Sequence, residues 1–156
     1  MSLSGLIKEL NEDVNNAAKG EKFITFFAGH YHCKTKVLQY INAGHNYPIL
    51  LNESKTRFLN KGCIGLGMLE KIPKIEIEKI KLLKDTILVC YTDGLVELEN
   101  NNNVAFETDN LVKVIRKNFN QTMIELDHTI FKRLNEFKGG QEFLDDTAVM
   151  SCKFYA

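Results

Sequence analysis

Two short acidic segments combine residue types that can hold a metal ion. Asp93 follows the most apolar run of the chain, residues 86–91, and Gly94 comes directly after it. Asp145 and Asp146 are adjacent and precede the last apolar segment. Carboxylate oxygens are the ligands that Mg²⁺ and Mn²⁺ prefer, and an acid at the end of a buried strand is rigidly positioned. Each segment alone is more typical of a surface turn or of a solvated acidic pair than of a metal site.

A second group of candidate metal ligands lies earlier in the chain. His30 and His32 are two residues apart, which places them on one side of a strand, and Cys33 is adjacent. They could form half of a zinc site, but no further ligands follow at the spacing of a zinc finger. Exposed polar strand residues are the simpler interpretation. His45, next to Gly44, is interpreted most simply as a turn histidine.

Composition excludes several classes of protein. The 156 residues are 44% hydrophobic and 26% charged, as in an ordinary globular protein. Lys and Arg together number 20 and balance 20 Asp and Glu, so the basic surplus of a nucleic-acid-binding protein is missing. No apolar run approaches the roughly 20 residues that cross a bilayer, and the start lacks signal-peptide features. The 4 scattered cysteines indicate reduced thiols in a cytoplasmic protein.

The spacing of hydrophobic residues predicts the elements that must position these side chains. An amphipathic helix is expected over residues 3–18, ending near Gly20. Two further helices are expected between Thr108 and Gly140, the first capped by Thr108 and the second opened by a capping box of Thr122 and Glu125. Gly139 and Gly140 should end the second of these. Strands are predicted at residues 23–28, 36–43, 48–52, 56–59, 74–80, 86–91 and 147–155.

The order of these elements predicts an α+β fold in a single domain, residues 1–156. Strands joined by short turns favour antiparallel pairing, and the amphipathic helices should pack on the faces of the sheets. The glycine-rich stretch at residues 62–67 is followed by neither Lys-Ser/Thr nor a helix. It is therefore not a nucleotide-binding loop, and we interpret it as a connection.

Taken together, the segments resemble the sporulation stage II protein E-like group of PPM-type protein serine/threonine phosphatases. The resemblance is carried by segments that follow the family's order: Phe-Ile-Thr-Phe-Phe-Ala at 23–28, Tyr-Ile-Asn-Ala-Gly-His-Asn-Tyr-Pro at 40–48, Gly-Leu-Gly at 65–67, Val-Cys-Tyr-Thr-Asp-Gly-Leu-Val-Glu at 89–97 and Asp-Asp-Thr at 145–147. The Asn-Ala-Gly-His and Tyr-Thr-Asp-Gly segments are the most specific of these.

The resemblance implies an αββα sandwich, with two antiparallel sheets between outer helices. It also implies hydrolysis of phosphoserine or phosphothreonine on a protein, by water activated between two Mn²⁺ or Mg²⁺ ions about 3.5–4 Å apart. Asp93 and Asp145 match metal ligands of the family, and no catalytic residue is expected beyond the ligands. Gly94, Asp146 and His45 are expected to hold the metal ligands in position without binding the metal themselves.

The sequence departs from the family in one respect. The family carries two earlier acidic segments that supply the remaining metal carboxylates, and neither is found before Phe23. We therefore expect the C-terminal part of a phosphatase domain, N-terminally truncated, with an incomplete metal site. Sheet edges left open in this way predict a homodimer, or a first helix shifted from its family position.

Two functions remain open from the sequence. The first is a cytoplasmic bacterial phosphatase acting on a phosphorylated regulatory protein, such as an anti-sigma-factor antagonist. The alternative is a catalytically inactive pseudophosphatase, acting as an interaction module in signalling. The native sequence upstream of Ser4 would distinguish them, because acidic motifs there would indicate an enzyme. Neither nucleic acid nor a membrane is expected as a partner.

Overall fold

The computed structural model describes residues 2–155, which pack into two compact units. The first unit comprises residues 2–47 and 59–83, and the second comprises residues 48–58 and 84–155. The helices are α1 (Leu3–Ala18), α2 (Asp93–Val96), α3 (Glu107–Lys117) and α4 (Met123–Lys138). The strands are β1 (Phe26–His32), β2 (Val37–Ala43), β3 (Ile49–Leu51), β4 (Thr56–Phe58), β5 (Gly62–Cys63), β6 (Glu78–Lys81), β7 (Thr86–Tyr91) and β8 (Val149–Phe154).

The first unit is a sheet centred on β2. Strand β1 pairs with it antiparallel along its full length, and β5 and β6 pair with its other edge. Helix α1 contacts β1 and β2 and buries Ile7 against Ile41, Ala43 and Leu66. The apolar stripe that predicted α1 therefore faces a sheet, as an amphipathic helix requires.

A buried asparagine fixes α1 to the connection that follows β5. The side-chain amide of Asn11 donates to the carbonyls of Leu69 and Glu70 at 3.2 and 3.1 Å. Its oxygen accepts the N–H of Gly67 at 2.9 Å. These bonds satisfy a polar group that is only 2% exposed, so the glycine-rich stretch serves as a helix anchor.

The second unit is an antiparallel sheet in the order β4-β3-β7-β8, with α3 and α4 packed against it. All residues of β7 are buried, which explains why this segment is the most apolar run of the chain. Side chains from alternate positions of β7 meet the apolar faces of both helices. This core consists chiefly of Ile87, Val89, Tyr91, Leu111, Ile115, Leu126, Ile130 and Leu134.

Several predicted elements are confirmed and others are corrected. Helix α1 and strand β7 have the predicted bounds, and the capping box of Thr122 and Glu125 opens α4. Thr108 does not cap α3, because the helix begins at Glu107 and Thr108 already lies in its first turn. Its hydroxyl instead lies 3.4 Å from that of Tyr91.

Two strands differ from prediction because backbone pairing, not hydrophobicity, sets their limits. Strand β1 begins at Phe26 and continues through polar residues to His32, since β2 pairs with it that far. Strand β6 is limited to Glu78–Lys81, because β5 occupies the same edge of β2 at Asn42. Residues 74–77, predicted as strand, therefore have no ladder to join.

The α+β class, with two sheets and packed helices, is confirmed. The named strands of the described chain pair antiparallel, except that β2 and the two-residue β5 run parallel. None of the helices formed by residues 2–155 has the length and apolar character needed to cross a membrane.

Candidate functional site

The candidate site lies at one end of the β7–β8 pair. Strand β7 ends at Tyr91, which pairs with Val149, the first residue of β8. The residues that follow Tyr91 therefore lie beside those that precede Val149. In this way the ladder places the segment of Asp93 next to that of Asp145 and Asp146, although the two are far apart in sequence.

Thr92 joins the two segments through both its backbone and its side chain. Its backbone N–H donates to the carbonyl of Ala148 at 3.1 Å. Its hydroxyl donates to the carbonyl of Asp146 at 2.8 Å and accepts the N–H of Ala148 at 2.9 Å. Three hydrogen bonds thus extend the ladder past the end of β7 and fix the backbone next to Asp93.

Gly94 brings the segments into direct contact. It is buried, and a Cβ at this position would lie 2.8 Å from the Asp146 carbonyl oxygen and 3.1 Å from that of Asp145. The Thr147 hydroxyl lies 3.3 and 3.1 Å from the carbonyl oxygens of Gly94 and Asp145, so it can donate to either. Only glycine permits this approach of one backbone to another.

The three carboxylates at this junction are exposed and carry no cationic partner. One oxygen of Asp93 accepts the N–H of Gly94 at 3.1 Å, and one oxygen of Asp145 accepts the N–H of Asp146 at 2.7 Å. Among residues 2–155, no Lys, Arg or His side chain forms an ion pair with any of the three. The second oxygens of Asp93 and Asp145 are left for a ligand, and adjacent negative charges favour a hard cation.

The acidic residues at this junction could supply some of the ligands of a metal centre, but not a complete set. Across residues 2–155, no three His, Cys, Asp or Glu side chains come together in a group that could hold a metal ion. Asp93 and Asp145 have the right donor chemistry for Mn²⁺ or Mg²⁺, but they form an incomplete ligand set. Their role as metal ligands stays a prediction.

The zinc site considered for His30, His32 and Cys33 does not form within the described residues. His30 and His32 are exposed on β1, as the simpler interpretation predicted. The Nδ1 atom of His32 accepts the N–H of Thr35 at 3.2 Å. His32 therefore supports the turn between β1 and β2.

A hollow of about 510 Å³ adjoins the acidic junction. Asp145, Asp146 and Thr147 form one side of it, and the remaining lining residues are the apolar Phe131, Phe143 and Leu144. Leu144 directly precedes Asp145 and is 93% exposed. The surface next to the carboxylates is therefore open and partly apolar.

The Asn-Ala-Gly-His segment is organised by Asn42. This side chain is 4% exposed, and its amide donates to the carbonyls of His45 and Leu59 at 2.9 and 3.1 Å. Its oxygen accepts the N–H of His45 at 2.8 Å. Gly44 takes a positive φ of 73° in the turn that results. His45 thus has a fixed backbone in the first unit, and its supporting role stays a prediction.

Sequence reasoning overlooked the residues that hold the site together. Thr92 and Thr147 do more than the acids to join the two segments, and Asn42 is the buried centre of the His45 turn. Hydroxyl and amide side chains beside turn residues are the signal that could have indicated them, because such side chains readily bond to nearby backbone.

Solved structures with a similar fold include a bacterial phosphatase domain. The RsbU and RsbW domains of a Mycobacterium tuberculosis protein superpose with a TM-score of 0.79 at 18% identity, over 99% of this chain and 43% of that one. The phosphatase domain of SpoIIE from Bacillus subtilis, from a manganese-presoaked crystal, gives 0.67 at 13% identity, over 98% and 67%. RsbX in complex with magnesium gives 0.69 at 14% identity, over 98% and 65%.

These likenesses show the fold of PP2C-type phosphatases. The chain spans less than half of the mycobacterial structure and about two thirds of the other two. No protein with a curated description is significantly similar in sequence. The family model of stage II sporulation protein E (SpoIIE) matches residues 1–155, and the chain therefore belongs to that family of phosphatase domains.

Proposed function

We propose that the chain supplies two metal ligands and a substrate-binding surface to a metal-dependent protein serine/threonine phosphatase. The observation that carries the proposal is the contact between Gly94 and the Asp145–Asp146 backbone, reinforced by Thr92. It joins two acidic segments that resemble metal-binding segments of the family. Nothing in the packing of the sheet requires unpaired acids at this junction, whereas a divalent cation would make use of them.

In this mechanism Asp93 and Asp145 would hold Mn²⁺ or Mg²⁺. RsbX was crystallised with magnesium and SpoIIE was soaked with manganese, which supports the choice of ions. Bound ions of this kind activate a water molecule and stabilise charge on a phosphoryl group. The chain's own residues hold the ligands in place: the N–H groups of Gly94 and Asp146 each bind one carboxylate oxygen, and the second oxygen of each carboxylate would bind the ion.

The substrate we propose is a phosphorylated regulatory protein of the bacterial cytoplasm, such as an anti-sigma-factor antagonist. The hollow beside Asp145 supports a polypeptide substrate, because its wall of Phe131, Phe143 and Leu144 offers apolar contacts beside the carboxylates. The four cysteines of the described chain are free thiols, which fits a reducing compartment.

Metal binding tests the proposal directly. In a titration of ¹⁵N-labelled protein with Mn²⁺, we expect at most weak binding, which should broaden the amide signals of Asp93, Gly94, Asp145 and Asp146 first. Asp93→Asn and Asp145→Asn should each weaken binding about tenfold or more, because each removes an anionic ligand. The amide side chain preserves the shape of the site, so the loss reports on charge.

The control is Asp13→Asn, which removes an exposed acid from α1. It should leave the Mn²⁺ titration unchanged. Broadening that centres elsewhere in the chain, or that is insensitive to both site variants, would show that these acids are not the metal ligands.

We expect residues 1–156 alone to hydrolyse neither a phosphoserine peptide nor an aryl phosphate measurably, even with millimolar Mn²⁺. Two carboxylates can bind an ion weakly, but they cannot hold the charge-balanced pair of ions that activates the attacking water. Phosphate release over several hours, with and without EDTA, measures this. Robust turnover that EDTA abolishes would show that the ligand set is completed within these residues in a way the described structure lacks.

The second candidate function is an interaction module that has lost catalysis. The absence of a third ligand within residues 2–155 favours it. The Mn²⁺ titration separates the candidates, since a module of this kind has no reason to bind the ion at Asp93 and Asp145.

A further inference from the structure

The β7–β8 ladder ends at Thr92 with one hydrogen bond made by a side chain in place of the backbone. Tyr91 pairs with Val149, so Thr92 and Ala148 form the next pair along the chain. A hydrogen-bonded pair in an antiparallel ladder exchanges two bonds, each from an N–H to the other residue's carbonyl. The Thr92 N–H does donate to the Ala148 carbonyl, at 3.1 Å. The Ala148 N–H, however, donates to the Thr92 hydroxyl, at 2.9 Å.

The backbone carbonyl of Thr92 is used for a different bond, at the start of α2. It accepts the N–H of Leu95 at 3.2 Å, and the helix begins at Asp93, the residue after Thr92. Because the hydroxyl takes the place of the carbonyl in the ladder, the Ala148 N–H stays paired while the carbonyl serves the helix. The chain therefore changes from strand to helix within a single residue.

The Thr92 hydroxyl does not act as a helix cap. Thr92 is the N-cap residue of α2, a position where a threonine hydroxyl usually accepts an N–H of the first helical turn. Within residues 2–155 it forms no such bond, and the N–H of Gly94 is bound by the Asp93 carboxylate instead. The hydroxyl donates to the Asp146 carbonyl at 2.8 Å. Both its donor and its acceptor bonds therefore go to the segment that leads into β8.

The residue at which β7 ends decides where the Asp93 side chain lies. Ile87, Val89 and Tyr91 alternate along β7 onto the face that α3 and α4 cover. If the strand continued to Asp93, its carboxylate would join this apolar face, where an unpaired charge is strongly disfavoured. Because α2 begins at Asp93, the carboxylate is exposed and Leu95 is buried in the core.

We propose that the Thr92 hydroxyl is a positioning group for Asp93, because it replaces the Thr92 carbonyl in the ladder and so sets the residue at which β7 ends. Without the hydroxyl, the Ala148 N–H would take the carbonyl back into the ladder. Helix α2 would then lose its bond to Leu95, and Asp93 would move away from Asp145. The functional meaning of this inference rests on the proposed metal site, whereas the change in the backbone does not.

NMR measurements without metal test the position of the turn. Thr92→Val keeps the size and branching of the side chain and removes the hydroxyl. We expect this variant to lose the helical Cα chemical shifts of residues 93–96, and its Leu95 amide to exchange about tenfold faster or more. Thr92→Ser is the matched control, because it keeps the hydroxyl. It should retain both the helical shifts and the slow exchange.

A Mn²⁺ titration of the same samples adds a readout that a general loss of stability would not change selectively. In Thr92→Val, the ion should still broaden the amide signals of Asp145 and Asp146 but no longer those of Asp93 and Gly94. Thr92→Ser should broaden all four as the unmodified chain does. If the unmodified chain shows no broadening at these residues, the role of Asp93 as a ligand is overturned, and the measurements without metal still decide its position.

A measurement on the unmodified chain makes the test independent of whether Thr92→Val folds. In deuterated protein, a scalar coupling across the hydrogen bond should link the Thr92 nitrogen to the Ala148 carbonyl carbon. None should link the Ala148 nitrogen to the Thr92 carbonyl carbon. A coupling between that second pair would overturn the proposal, since the carbonyl would then already belong to the ladder. Helical shifts of residues 93–96 that persist in Thr92→Val, or that are lost in Thr92→Ser, would overturn it as well.

Discussion

Gly94→Ala is expected to abolish Mn²⁺ binding at the acidic junction and to lower the free energy of unfolding by about 2–3 kcal/mol. The added methyl group would lie 2.8 Å from the Asp146 carbonyl oxygen and 3.2 Å from the Asp145 carbonyl carbon. Both are backbone atoms that cannot rotate away, so the two segments must separate. Separation breaks the Thr92 bonds to Asp146 and Ala148 and moves Asp93 away from Asp145. Urea unfolding and the Mn²⁺ titration measure the two effects on one sample.

Gly140→Ala provides the matched control for this change. The nearest atom to a Cβ at Gly140 is the side-chain oxygen of Asn101 at 3.9 Å, an ordinary contact. We expect this variant to unfold and bind Mn²⁺ as the unmodified chain does. If Gly94→Ala behaved the same way, the close approach of the two backbones would not hold the site together.

Asn42→Asp is expected to lower the free energy of unfolding further, by about 3–5 kcal/mol near neutral pH. The change keeps the shape of the side chain but replaces its amide nitrogen with a second oxygen. That nitrogen donates to the carbonyls of His45 and Leu59. A buried carboxylate would then face two carbonyl oxygens. Burial raises the pKa of such an acid in the folded state, so the stability lost near neutral pH should be partly recovered at about pH 4, where the acid becomes protonated in the unfolded state as well.

Asn120→Asp is the control, because Asn120 is exposed and the same change there meets solvent. Unfolding curves at about pH 4 and 7 would separate the two variants, since only the buried acid should show the strong pH dependence. Equal stability of Asn42→Asp and the unmodified chain near neutral pH would mean that Asn42 does not organise the His45 turn.

The sequence predicted those elements whose limits coincide with a change in hydrophobic pattern. Helix α1 and strand β7 are of this kind, since both are bounded by turn or polar residues. Strand β1 was misplaced because its second half is polar and is held only by backbone pairing with β2. Pairing partners are a property of the whole sheet, so no local pattern could set the two ends of β1 or exclude residues 74–77 from a strand.

The sequence pointed to the acidic residues of the candidate site, but not to the residues that hold them in place. Asp93 and Asp145 were singled out as expected metal ligands by the family resemblance, because carboxylates beside glycine or beside each other are by themselves more typical of turns and solvated pairs. Thr92 joins the two segments through a hydroxyl that bonds across the ladder, and such a contact depends on which residue lies opposite. The register of β7 and β8 determines which residue lies opposite Thr92, and register cannot be obtained from one strand alone.

The discontinuous second unit has a consequence for protein synthesis. Its central strand β7 pairs with β3, which is made much earlier, and with β8, which is made only after helices α3 and α4. Between β3 and β7 the chain must also produce residues 59–83 of the first unit. Strand β7 therefore emerges with one edge unpaired and stays so until β8 has been made. Nascent chains of this protein should depend on chaperones that shield apolar strands during that interval.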